Sequence, residues 1–148
     1  MEKYDKPTKD MIRHLIAAAL EARKKSYSPY SHYQVGAALL CGGGQIVTGC
    51  NIENAAYTPA NCAERTAFFK AVSEGMRDFQ GIAIAGSPAG DAVTQYAFPC
   101  GVCRQVMMEF CNPADFWIIT AKSAEDYRIM TLQELLPEGF GPDNLACS

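Results

Sequence analysis

The 148-residue sequence has no long hydrophobic run and no surplus of basic residues. No apolar stretch approaches the roughly 20 residues that a membrane-spanning helix needs, so a transmembrane role has no support. Its 13 Lys and Arg face 16 Asp and Glu, which gives a formal net charge of −3. Because nucleic-acid affinity depends largely on neutralising phosphates, this balance argues against a surface that binds nucleic acid. A small, uncharged substrate fits better.

The first ten residues are polar and lack the apolar core of a secretory signal peptide. The chain has seven cysteines, and an odd number without a leader favours free thiols in a reducing compartment. We therefore expect cytoplasmic localisation. Neither internal repeats nor low-complexity tracts divide the chain, and its length suits one domain. We predict a single domain over residues 1–148, with a core at about 8–140 and a C-terminal tail at 141–148.

Alternating and helix-spaced apolar residues predict a mixed α/β chain. The predicted elements are a helix from Thr8 to about Lys25, strands at 33–41 and 45–50, a helix from Cys62 to Gly75, a strand at 81–85, a helix from Cys100 to Asn112, strands at 116–120 and 127–131, and a short helix ending at Pro137. Residues 87–98 are predicted to form a surface loop. The order implies a mixed five-stranded sheet with helices on its faces. Its central strand is 81–85, where apolar residues do not alternate with polar ones.

Two cysteine motifs supply the candidate chemistry. Asn61-Cys62-Ala63-Glu64-Arg65 and Pro99-Cys100-Gly101-Val102-Cys103 each stand at the start of a predicted helix. Free backbone N–H groups and the positive end of the helix dipole favour thiolates there, so two facing helix starts can hold a divalent cation. Three sulfur ligands without a nearby histidine suit zinc best.

Three protein ligands, rather than four, indicate a catalytic metal site. A structural zinc site normally closes with four protein ligands, whereas three leave a position for water, which can then lose its proton near neutral pH. Glu64 stands two residues after Cys62. It can therefore lie near the metal without binding it and can take and return protons.

Each motif has a simpler interpretation when taken alone. Residues 61–64 also fit a helix cap, a lone Cys-x-x-Cys can be a redox pair, and a lone cysteine is usually a small buried hydrophobe. The combination favours the metal site. Capping requires neither a cysteine before Ala63-Glu64 nor a second cysteine pair at another helix start.

The two motifs resemble those of the cytidine deaminase family, and the resemblance extends from about Tyr27 to Phe140. That family binds zinc through one His or Cys and a Pro-Cys-x-x-Cys pair, beside a glutamate that is not a ligand. The resemblance implies a three-layer α/β/α sandwich with one Zn²⁺ per subunit. Its ligands are then Cys62, Cys100 and Cys103, and Glu64 is the acid/base residue.

The resemblance also implies the substrate contacts. Asn51 and Glu53, in the stretch Cys50-Asn51-Ile52-Glu53-Asn54, hold the ribose 3′-hydroxyl, although the same stretch is typical of a polar turn. Tyr33 lies against the pyrimidine ring, at a position where relatives often have Phe. The Ala63 N–H binds the pyrimidine carbonyl oxygen, and the Phe98 carbonyl accepts from the exocyclic amine.

Charge and assembly add further expectations. Zn²⁺ with three thiolates carries a formal charge of −1, and we expect Arg65, in preference to Arg104, to donate hydrogen bonds to the sulfurs. A surface salt bridge is the simpler role for either arginine.

The resemblance implies a homotetramer in which Phe140, and also Tyr57, reaches the site of a neighbouring subunit.

The predicted function is hydrolytic deamination of cytidine and 2′-deoxycytidine in pyrimidine salvage. One alternative is a deaminase of a cytosine nucleoside antibiotic of the blasticidin S type, which uses the same zinc chemistry. A noncatalytic zinc-binding module is another, and it would not need Glu64. A deaminase of nucleic-acid bases would need basic tracts and interleaved aromatics, which the sequence lacks.

Overall fold

The computed structural model describes residues 5–145. Its elements are α1 (Lys9–Arg23), β1 (Tyr33–Cys41), β2 (Ile46–Cys50), α2 (Ala63–Ser73), β3 (Phe79–Pro88), α3 (Gly101–Phe110), β4 (Trp117–Ala121), β5 (Tyr127–Thr131), α4 (Leu132–Leu135) and a 3-10 helix (Pro142–Leu145). The predicted order is confirmed, and β1 and β5 have the predicted bounds. The capping box predicted at Thr131 is present at the start of α4.

The strands form one mixed five-stranded sheet in the order β2-β1-β3-β4-β5. β1 is antiparallel to both β2 and β3, β3 is parallel to β4, and β4 is antiparallel to β5. The central position of β3 is confirmed. Its residues 81–87 are all buried, as expected of a strand with a helix layer on each face.

Helices cover both faces of the sheet and give three layers. On one face, α1 buries Ile12, Leu15 and Ile16 against alternate side chains of β1 and β3. On the other, Phe68 of α2 and Met107 of α3 pack in a second cluster with Ile82 of β3 and Ile118 of β4, among others. The predicted α/β/α sandwich is confirmed, and its second helix layer carries both cysteine motifs.

β3 is longer than the predicted strand at 81–85, and the loop predicted at 87–98 is correspondingly shorter. The ladder with β1 continues through Ser87 to Pro88. Ser87 is buried, and its hydroxyl is bonded to the Arg23 guanidinium at the end of α1. A polar residue can extend a buried strand when its side chain is paired. Local apolar patterning does not reveal that partner, because Arg23 is distant in sequence.

Residues 139–141, where the predicted C-terminal tail begins, pack on α3. The Gln105 side chain donates to the Phe140 carbonyl oxygen at 2.8 Å. Gly139 and Gly141 lie close to Met108, where an added Cβ would stand 3.2 Å and 3.0 Å from its side-chain atoms. Residues 146–148 lie outside the described part of the chain. Across residues 5–145, no helix is long and apolar enough to cross a membrane.

Candidate active site

The structure brings the two cysteine motifs together at the starts of two helices. Cys62 is the N-cap of α2 and Cys100 is the N-cap of α3, and neither side chain caps its own helix. The Cys62 and Cys100 sulfurs are 3.9 Å apart, and those of Cys100 and Cys103 are 3.6 Å apart. All three sulfurs lie within 4.8 Å of one another.

These distances fit a zinc ion bound by three thiolates. Zinc with Zn–S bonds of about 2.3 Å in tetrahedral geometry separates its sulfur ligands by about 3.8 Å. The two sulfur–sulfur separations of 3.9 Å and 3.6 Å are close to that value. Among residues 5–145, no other group of His, Cys, Asp or Glu side chains has this spacing. The donor set therefore fits one zinc per chain.

Arg65 lies against the sulfur cluster. Its Nη2 donates to the Cys62 sulfur at 3.2 Å, and its buried Nε has no hydrogen-bond partner within residues 5–145. The hydrogen bond from Cys103, opposed by burial and reinforced by Arg65, lowers the pKa of the Cys62 thiol to about 5. By contrast, burial raises the pKa of Cys41, which lies outside the cluster, to about 11. The low pKa of Cys62 therefore comes from its neighbours.

Glu64 is buried beside the cysteines. Its side chain projects from the first turn of α2, and the residue is only 4% exposed. Burial raises the pKa of the Glu64 carboxyl to about 7. A carboxyl with a pKa near the working pH can both accept and return a proton, which is the property required of a general acid/base.

A cavity of about 330 Å³ opens over Glu64 and the cysteines. Its walls are Tyr33, Val35, Asn51, Cys62, Ala63, Glu64, Ile84, Ala97, Phe98 and Cys100. The predicted site residues Tyr33, Asn51, Ala63 and Phe98 thus share one cavity with the metal cluster. Val35, Ile84 and Ala97 could not be recognised as site residues from sequence, since small apolar residues in a strand or loop are usually structural.

The Asn51 side chain has one fixed orientation. Its Oδ1 accepts from the Val35 backbone N–H at 2.9 Å and from the Ser26 hydroxyl at 2.5 Å, and its Nδ2 donates to the Tyr33 carbonyl oxygen at 2.8 Å. An amide nitrogen has two hydrogens, so one remains for a ligand in the cavity. Sequence reasoning missed Ser26, which stands in a turn-rich stretch far from both motifs.

Glu53 and Tyr57 line a neighbouring cavity of about 350 Å³ instead. The Glu53 carboxylate accepts from the N–H groups of Tyr30 and Ser31 at 3.0 Å and 3.1 Å, and from the Ser31 hydroxyl at 2.5 Å. These hydrogen bonds, above all that from the Ser31 hydroxyl, lower the pKa of Glu53. Phe140 lines neither cavity and is 56% exposed.

Arg104 contacts backbone oxygens rather than the sulfurs. Its Nε donates to the Pro99 carbonyl at 2.8 Å and its Nη1 to the Leu135 carbonyl at 2.6 Å. It therefore fixes the peptide that precedes Cys100 to the end of α4. The position agrees with our preference for Arg65 as the residue beside the sulfurs.

A family model described as "Cytidine and deoxycytidylate deaminase zinc-binding region" matches residues 9–119. The chain belongs to this deaminase family. The cytidine deaminase of Sporosarcina psychrophila is similar to this deaminase, with 45% identity over 91% of this chain and 95% of the relative. The cytidine deaminase of Halalkalibacterium halodurans is 47% identical over 88% of this chain and 95% of the relative.

Solved structures agree with this membership. The cytidine deaminase of Burkholderia pseudomallei superimposes with a TM-score of 0.76 at 43% identity, covering 86% of this deaminase and 97% of that chain. A blasticidin-S deaminase from Bacillus cereus is more distant, at 29% identity over 83% of this chain and 87% of the relative. The family model, like the sulfur geometry, assigns zinc to this fold.

Proposed function

We propose that this deaminase hydrolyses cytidine and 2′-deoxycytidine to uridine and 2′-deoxyuridine, releasing ammonia. The observation that carries the proposal is the buried Glu64 carboxyl beside three clustered cysteines, in a cavity with the aromatic side chains of Tyr33 and Phe98 in its walls. The cytidine deaminase names of relatives at 45% and 47% identity support it. A cavity of about 330 Å³ falls in the size range of small-molecule sites.

Cys62, Cys100 and Cys103 would hold the zinc. When bound, the metal supplies a Lewis acid that polarises water at physiological pH. Glu64 then carries the proton transfers: it takes a proton from the water that attacks C4 and gives it to ring N3. As the C4–N4 bond breaks, Glu64 takes the second proton, that of the new C4 hydroxyl, and passes it to the departing amine, so that ammonia leaves and a C4 carbonyl remains. One carboxyl thus acts as base and as acid in turn.

Backbone and aromatic groups orient the pyrimidine. The Ala63 N–H lies in the first turn of α2, where no intrahelical acceptor is available, and we assign it to the pyrimidine carbonyl oxygen. The Phe98 carbonyl is assigned to the exocyclic amine, and the Tyr33 ring to a face of the base. On the ribose side, the second Nδ2 hydrogen of Asn51 is assigned to the 3′-hydroxyl. The predicted Glu53 contact requires the same hydroxyl to reach the neighbouring cavity that Glu53 lines.

Replacement of Arg65 by alanine tests the charge compensation. Without the 3.2 Å bond to Cys62, the three thiolates keep more negative charge. We expect zinc affinity or kcat to fall by about 10- to 100-fold, as is typical when an outer hydrogen-bond partner of a metal ligand is lost. Zinc titration and steady-state kinetics measure the two quantities. Arg104→Ala is the comparison, and it should not show this loss through the sulfurs, since Arg104 donates to the backbone carbonyls of Pro99 and Leu135. Unchanged zinc affinity and kcat in Arg65→Ala would contradict the assignment of Arg65.

Comparison of substrates tests the proposed activity. Purified, zinc-loaded protein is mixed with cytidine, 2′-deoxycytidine or blasticidin S at equal concentration, and the change in ultraviolet absorbance is followed. We expect kcat/KM to be highest on the two nucleosides. A preference for blasticidin S would support the antibiotic alternative. This substrate is included because a blasticidin-S deaminase is among the similar proteins, at 29% identity. Zinc binding with no turnover of any of the three would support the noncatalytic module.

We also propose that the enzyme is a cytoplasmic homotetramer of single-domain subunits and acts in pyrimidine salvage. Tyr57 and Phe140 support the assembly, because large aromatic side chains that are 75% and 56% exposed are suited to a subunit contact. Sedimentation should give about four times the 16.1 kDa chain mass. Phe140→Ala and Tyr57→Ala are expected to weaken the assembly or raise KM. A fully active monomer would contradict the proposal.

A further inference from the structure

The hairpin of β4 and β5 contacts the segment that ends the loop between β3 and α3. The Tyr96 hydroxyl donates to Asp126 Oδ1 at 2.5 Å, and Lys122 Nζ lies 4.5 Å from the centroid of the Tyr96 ring. The Arg128 guanidinium carbon lies 5.9 Å from the Tyr96 centroid and 5.7 Å from the Phe98 centroid. One arginine therefore contacts two aromatic rings that are two residues apart.

Phe98 joins this hairpin to the substrate cavity. Its side chain lines the cavity together with Glu64 and Cys100, yet it is 41% exposed and does not belong to the buried core. Core packing therefore does not fix the ring. A guanidinium within about 6 Å of an aromatic centroid is attracted to the ring face and can stack on it. Arg128 supplies such a contact.

The chain beyond Phe98 is held separately. Pro99 is buried, and its carbonyl accepts from Arg104 at 2.8 Å. Cys100 and Cys103 follow in α3, and Glu64 lies on α2. A change in the hairpin contact can therefore move the Phe98 ring without moving the metal ligands or the acid/base group.

We propose that Arg128 is a positioning residue that holds Phe98 in place as a wall of the substrate cavity. The hydrogen bond between Tyr96 and Asp126 fixes the same segment two residues before Phe98. The inference rests on the proposed function, because it concerns binding of that substrate. A wall that is used equally by substrate and transition state contributes to KM and leaves kcat unchanged.

The test uses the zinc-loaded 148-residue chain with cytidine as substrate. We expect Arg128→Gln to raise KM by about 3- to 10-fold with kcat within about twofold of wild type. Arg128→Lys keeps a cation over the rings and should restore most of the affinity. Arg13→Gln makes the same change of charge at an exposed position of α1 and is the matched control, with KM unchanged.

A double-mutant cycle shows whether Arg128 acts through Phe98. In a Phe98→Leu background, Arg128→Gln should raise KM by less than about twofold, since the ring it positions is gone. Tyr96→Phe, which loses only the hydroxyl bonded to Asp126, should raise KM in the same direction by a smaller factor. An unchanged KM in Arg128→Gln, an equal effect in both backgrounds, or a parallel loss of kcat and zinc would overturn the inference. Inactive wild-type protein would instead overturn the proposed function.

Discussion

Replacing Glu64 by glutamine is expected to lower kcat on cytidine by about 10³-fold or more, within the typical range of about 10²- to 10⁴-fold for loss of a general acid/base. Glutamine has nearly the same size and shape but cannot exchange a proton in this role. Because Glu64 is only 4% exposed and lies among packed groups, an isosteric change leaves the cavity intact. The loss should therefore appear in kcat, while cytidine binding and zinc content stay close to wild type.

The measurement is initial-rate kinetics on protein with determined zinc content. Glu74→Gln is the matched control, since Glu74 is exposed at the other end of the same helix and its replacement should leave kcat within about twofold. Equal turnover by wild type and Glu64→Gln at equal zinc content would show that this carboxyl carries no proton. If another protein in the sample produced that turnover, the interpretation as a noncatalytic zinc-binding module would be supported.

Replacing Cys103 by alanine is expected to remove zinc and with it the activity. Cys103 is fully buried, and its sulfur lies 3.6 Å from that of Cys100. Loss of a direct thiolate ligand should cost more than the about 10- to 100-fold in metal affinity that an outer hydrogen-bond partner costs. We therefore expect zinc affinity to fall by more than about 100-fold and turnover to fall with zinc occupancy.

Cys111→Ala provides the control for this change. Cys111 is also buried, at the other end of α3, but lies outside the sulfur cluster. Its replacement should leave one zinc per chain and normal turnover, whatever its modest effect on stability. Metal analysis after dialysis, followed by thermal unfolding with and without added zinc, separates the two variants. Full zinc occupancy in Cys103→Ala would contradict the ligand assignment.

The sheet could be predicted from sequence because its determinants are local. Alternation of apolar residues predicts β1 to the residue, the bounds predicted for β5 also match, and the unbroken apolar run at 81–85 predicts a central β3. The end of β3 could not be predicted in the same way. Ser87 stays in the strand because it bonds to Arg23, which is 64 positions earlier in the chain.

In the candidate site too, local features could be predicted from the sequence and contacts between distant residues could not. The cysteine motifs and Glu64 were recognisable because residue type and spacing from a helix start determine their chemistry. The orientation of Asn51 depends on Ser26, and the separate cavity of Glu53 depends on the backbone of Tyr30 and Ser31. Such contacts join loops that are distant in sequence. The same holds for Arg128 and Phe98, which no local pattern relates.

Product analysis after mixing the zinc-loaded, purified chain with cytidine is the most direct test of the proposed deaminase activity. We expect cytidine to be converted to uridine with one equivalent of ammonia, and chelation of the metal to stop the reaction. Cytidine that remains unchanged while zinc is bound and the fold is intact would show that the protein is not a cytidine deaminase.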